Sequence, residues 1–183
     1  MGSCGGAAGS GLGDATARPC RAAARAWALA AIGGAALLIG LAVYLSDRVP
    51  ARVALLAGLP IEGGRHGFGT AGQWLPSFVH PFAFALFTVA ALDRDSRWRY
   101  PACAAWGAVD VAAEAGQHPL LSSRLADAIH AHLGHGGIAD AVAGYFAHGT
   151  FDRLDVAAAM LGAIAAGLAV RMLQPTSGAR HGT

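Results

Sequence analysis

A chain of 183 residues that is 55% hydrophobic and only 13% charged carries half the charge of an ordinary soluble domain, which runs at about 25%. With a mean hydropathy of +0.45, it points to lipid as solvent, and its length fits one compact helical domain. A net charge of +2, with no basic run interleaved with aromatics, excludes nucleic acid as a partner.

Residues 1–18 are rich in Gly, Ala and Ser with no apolar period, which predicts a disordered tail. The tail continues to residue 25 and includes Arg18, Arg21 and Arg25. Ala26 to Leu45 is apolar, and a spanning helix needs about 20 such residues. A signal peptide has a shorter apolar core followed by a cleavage site. This stretch is long and ends in Ser46-Asp47-Arg48, so it reads as a retained anchor helix.

Residues 46–73 are broken by Pro50, Pro60 and six glycines and read as a loop. Its short apolar piece, Val53 to Leu59, is too brief to span. A second span is predicted over 74–92, with Trp74 at an interfacial position and Pro76 and Pro81 in its first turns, where proline is best tolerated. A third covers 98–117, interrupted by Asp110 and Glu114, which weaken its apolar average. Residues 118–150 form a second loop. Within it Ser122-Ser123 caps a short helix ending at Leu133, before Gly134, Gly136 and Gly137. Another short helix covers Ile138 to Phe146. A fourth span is predicted over 154–173, where Gly162, Ala166 and Gly167 allow close helix approach. Residues 175–183 are a polar tail. The fold class is therefore all-α, a multi-pass membrane bundle of about four transmembrane helices in a single domain, 26–174.

Arginine placement sets the orientation. Arg18, Arg21, Arg25, Arg94, Arg97, Arg99, Arg171 and Arg180 fall on one side, against Arg48, Arg52, Arg65, Arg124 and Arg153 in the two long loops. Both termini are expected in the cytoplasm and both long loops outside, in a bacterial inner membrane.

Ionisable residues inside spans face the bundle interior or a water-filled cavity. At a rise of 1.5 Å per residue, His80 lies about 9 Å deep from the outer side, Glu114 about 4–5 Å and Asp110 about 10 Å. Asp110, Glu114 and Gln117 share one helix face at i, i+4, i+7. Asp152 and Asp155 open the fourth span, where acidic caps are favoured. Residues of three spans thus converge at similar depth, and His80, Asp110, Glu114, Gln117, Asp152 and Asp155 form a candidate ligand-binding cluster. The same residues leave other readings open: Asp152 and Asp155 as helix caps, and Asp110 with Glu114 as a polar pair tying helices together.

Five of the eight histidines, His118, His130, His132, His135 and His148, fall in the second loop. They miss the i, i+4 spacing of a helical metal pair, so they read as solvated or capping groups, with no metal and no cofactor expected. Cys4, Cys20 and Cys103 form no CxxC and read as incidental or buried thiols. Ser77 lies one turn before His80, without a GxSxG elbow.

Ser77-Phe-Val-His80-Pro-Phe, Asp110-Val-Ala-Ala-Glu114-Ala-Gly-Gln117, and Gly149-Thr-Phe-Asp152-Arg-Leu-Asp155-Val-Ala-Ala-Ala-Met-Leu-Gly162 together resemble the VanZ-like membrane proteins over about residues 74–173. Pro76 stands where that family often carries Asp, Ala159 where it often carries Asn, and the loop before Phe151 is longer. The resemblance implies an envelope membrane protein. The family is associated with resistance to the glycopeptide teicoplanin, but no resistance role is assigned to this chain. The expected function is an outer-leaflet polar pocket that binds a lipid-linked or small polar ligand, with membrane lipids as surroundings. Two alternatives use the same residues: a membrane-embedded hydrolase or transferase with Glu114 or Asp110 as general acid/base, and a proton-coupled carrier.

Overall fold

The computed structural model describes residues 13–47, 68–69, 71–92 and 96–174. These form six α-helices and a short 3-10 turn, with no strand among the described residues. The helices are α1 (Gly13–Asp47), α2 (Ala71–Ala91), α3 (Arg99–Gly116), α4 (Ser122–Leu133), α5 (Gly137–His148) and α6 (Arg153–Met172). The all-α class expected from composition is the class observed.

Three helical segments are long and apolar enough to cross a membrane: Ala22–Leu45 within α1, Ala71–Ala91 and Arg153–Met172. Four were expected. The helix at 98–117 does form, as α3, but it is not among the three. Arg99, Asp110 and Glu114 lie within its 18 residues and lower its apolar average. The outer surfaces of the apolar helices support the same reading, since Leu38, Ile39, Leu161, Ile164 and Leu168 are all exposed. A patch of that kind is rare on a soluble monomer.

Several boundaries differ from expectation. The unordered segment predicted through residue 25 ends earlier, because α1 is already helical from Gly13. Alanine is the strongest helix former, and the run Ala15, Ala17, Ala22, Ala23, Ala24 carries the helix beyond the apolar stretch. Because α2 starts at Ala71, Pro76 and Pro81 lie inside the helix rather than in its first turns. The two short helices appear where glycine spacing puts them, as α4 and α5, but α4 is not capped by serine. Its N-cap is Leu121, which makes no side-chain cap. The turn is closed instead by the His118 carbonyl, which accepts from the N–H groups of Leu121 and Ser122. The piece Val53–Leu59, most of the first loop, and the tails before residue 13 and after 174 lie outside the described residues.

α2 sits centrally, against α1, α3 and α6, while α3 also packs on α6, and α4 pairs with α5. Small residues set the approach, as expected between helices in lipid. A side chain at Gly40 of α1 would meet Val79, and one at Gly107 of α3 would meet Ala163. One half of the bundle is a closed apolar core of Leu29, Ala85, Leu86, Val89, Cys103, Ala166 and Val170, flanked by Phe82, Trp106 and Leu173. Trp106 donates its indole N–H to Thr88 Oγ1 at 2.9 Å and stacks on Phe84. Arg97, Arg99, Tyr100 and Arg171 lie at the chain positions bordering that closed half. The other half is open and holds the polar residues.

Candidate functional site

Where the closed core ends, α1, α2, α3, α5 and the start of α6 diverge around a cavity of about 930 Å³. Each wall follows from local sequence. α1 contributes Leu37, Gly40, Leu41 and Tyr44, an apolar strip ending in a phenol. α2 contributes Gln73, Ser77 and His80, one or two turns apart on one face. α3 supplies Glu114 and Gln117, and α6 supplies Asp155 from its first turn. α5 closes the remaining side with Tyr145 and His148.

The sequence-derived cluster is largely assembled here. His80, Glu114, Gln117 and Asp155 line the cavity. Asp110 lines an adjoining recess of about 60 Å³ with Ser77, His80, Glu114 and Tyr145. Asp152 does something different: its Oδ1 accepts from the Leu154 N–H at 2.8 Å, the N-cap of α6. Its own backbone N–H faces the Glu114 carboxylate. Asp152 therefore acts on the site through its backbone and through the helix that carries Asp155.

Gln117, at the C-cap of α3, is buried in the cavity wall, 8% exposed. Its side chain lies beside the Tyr145 phenol. The chain leaving α5 crosses directly over this amide at Gly149, where a Cβ would overlap the Gln117 side chain. A side chain at that crossing would push the Gln117 amide aside.

The charge balance of the site is acidic. Glu114 lies within electrostatic reach of Asp110, Asp152 and Asp155, and His80 is the basic neighbour of Asp110. Asp110 Oδ2 and Glu114 Oε2 are sealed from solvent with no hydrogen-bond partner. Unsatisfied buried acceptors are costly, so these two oxygens are the atoms of the site most in need of a donor. Tyr145 lies outside the apolar spans. Partial burial and the nearby Glu114 carboxylate push its phenol above the ordinary range, which keeps it neutral and able to donate.

Tyr145, Ser77, Gln73, His148 and the α1 strip were not anticipated. Gln117 and Tyr145 are separated in sequence by an entire helix and two turns, and no spacing rule measures that approach. A second grouping joins two histidines read above as solvated or capping groups to an aspartate that the sequence did not single out. His130, His135 and Asp140 bring one ligand atom each within 4.8 Å of one another, at the turn between α4 and α5. The helical i, i+4 rule misses it because the residues straddle a glycine turn. The chemistry available in the cavity is acceptor-rich recognition of hydroxyl or amino groups, with carboxylates placed for proton transfer.

No family model, no curated protein and no solved structure matches this chain.

Proposed function

We propose that this chain is a bacterial inner-membrane protein of VanZ-like type whose cavity binds the polar headgroup of a lipid-linked molecule from the outer leaflet. The observation that carries the reading is the division of the cavity walls. Leu37 and Leu41 of α1 offer an apolar strip, while Gln73, His80, Glu114, Gln117 and Asp155 of α2, α3 and α6 offer polar groups. A ligand with a chain and a donor-bearing headgroup, hydroxylated or amino, satisfies both walls at once. Binding sites combine an apolar lining with a few placed polar groups in this way.

The proposal includes α3 as a fourth span, with its carboxylates turned inward and its polar face covered by α2, α5 and α6. Arginine placement favours both termini in the cytoplasm. The Ser77–His80, Asp110–Gln117 and Asp152–Gly162 pieces support the VanZ-like reading by their order and by their meeting around one cavity.

The test is lipid analysis of the chain extracted with its surrounding membrane in polymer discs. An amphiphile with a hydroxyl- or amine-bearing headgroup is expected to be enriched over bulk membrane, and Glu114→Gln is expected to lose it. A wild-type lipid profile identical to bulk membrane sinks the reading. In the native host, Glu114→Gln should produce an envelope phenotype at unchanged protein abundance.

A second reading makes the cavity catalytic, and the unpartnered Asp110 Oδ2 and Glu114 Oε2 favour it. Either carboxyl would act as general acid or base toward the headgroup. Asp110→Asn and Glu114→Gln would then abolish turnover while retaining some binding. A proton-coupled carrier is disfavoured by the closed apolar core, which offers no ionisable path beneath Asp110 among the described residues.

A further inference from the structure

We propose that the turn between α4 and α5 is a binding site for one first-row divalent transition metal ion, held by His130, His135 and Asp140, with Zn²⁺ the best fit. This site stands apart from the cavity and does not depend on the headgroup reading.

The turn is built to bring these residues together. The α4 helix ends as the Gly134 N–H bonds back to the His130 carbonyl at 2.9 Å. Gly134, Gly136 and Gly137 then take φ values of 75°, 126° and 47°, a left-handed run that a side chain would resist. The chain reverses sharply, so His135 returns onto His130 with ring centroids 4.3 Å apart. Asp140 enters from the first turn of α5, where the helix N-terminus favours its charge.

Both distances to Asp140 lie near the spacing of ligands that share one metal ion. Zinc bonds nitrogen and oxygen at about 2.0–2.2 Å, so two ligands at tetrahedral angles stand roughly 3.3–3.5 Å apart. Asp140 Oδ1 lies 3.2 Å from His130 Nε2 and 3.7 Å from His135 Nδ1. His130 Nε2 is sealed from solvent, yet it makes no aligned hydrogen bond despite that short approach. A buried imidazole nitrogen aimed at a carboxylate without bonding it is the geometry a shared cation would complete. His135 and Asp140 remain solvent-accessible on their outer sides, so an ion can enter and water can fill the fourth position. Two imidazoles and one carboxylate form a recognised donor set for zinc and for iron(II).

Such an ion would tie α4 to α5. Tyr145 lies five residues beyond Asp140, about 7.5 Å along the helix, so the clip would stiffen the helix that closes the cavity.

The test is titration of the purified, tag-free full chain in detergent with Zn²⁺ by calorimetry and with Co²⁺ by visible absorption. One ion per chain is expected. His130→Ala and Asp140→Asn should each weaken Zn²⁺ binding by more than the roughly 10–100-fold that loss of a supporting contact costs. His132→Ala, two residues from His130 and outside the cluster, should leave the affinity unchanged. Wild-type protein that binds neither ion, or His130→Ala and Asp140→Asn variants that keep wild-type affinity, would overturn the proposal. The wild-type Co²⁺ spectrum decides the matter even if a variant misfolds, since absence of ligand-field bands counts against the site.

Discussion

The Phe78 carbonyl of α2 rests directly on the Cα of Gly162 in α6, so close that a side chain at 162 would overlap it. Backbone cannot step aside as a flexible side chain can. Gly162→Ala should therefore destabilise the bundle by about 1–3 kcal/mol, the usual cost of overpacking. Gly34→Ala is the control, because a Cβ there meets nothing within 4 Å. Thermal unfolding in detergent reads both: a lowered midpoint for Gly162→Ala and none for Gly34→Ala. Equal midpoints would mean that α2 and α6 are not locked at this crossing.

Asp152 separates a capping role from a ligand-contacting one. Asp152→Ala removes the N-cap of α6 and should cost about 1 kcal/mol. Asp152→Asn keeps an acceptor and should retain most of that stability. If the two variants prove equally stable, the side chain contributes nothing as a cap.

Tyr145 gives a pH signature. Its folded-state pKa is raised above the ordinary 10.0 by partial burial and by Glu114, so the fold favours the neutral phenol. This contribution is fully present below pH 10 and is lost as pH rises through the higher folded-state value. Ultraviolet difference titration should show one phenol ionising late, and Tyr145→Phe should remove it. Late ionisation that persists in Tyr145→Phe would assign it to another tyrosine.

The membrane path of α3 can be read by labelling. In a cysteine-free background, Leu120→Cys should react with an impermeant maleimide in intact cells, and Trp98→Cys only after permeabilisation. Both positions are exposed on the protein surface. Labelling of both from the same side would rule out α3 as a span and leave three.

The helices were legible wherever composition alone decides them. The apolar runs of α1, α2 and α6 mark themselves, and Gly134 with Gly137 bounds α4 and α5 within a residue or two. The convergence of His80, Glu114, Gln117 and Asp155 was also legible, since antiparallel helices of known rise fix relative depth. What escaped was lateral geometry. Gln117 meets Tyr145 because Gly149 lets the chain pass over it, and His135 meets His130 because three glycines reverse the backbone. Both depend on loop conformation, which periodicity does not encode. The prolines differ for another reason: a start at Trp74 puts Pro76 and Pro81 in the first turns, whereas α2 begins at Ala71 and encloses both.

Their true position has a mechanical meaning. A proline inside a helix provides no N–H for the carbonyl four residues earlier, so Gly72 and Ser77 lose those partners in α2. Two rungs are thus missing from the ladder that bears His80. The wall that carries His80 is therefore held in shape by its neighbours α1, α3 and α6 rather than by an unbroken ladder of its own.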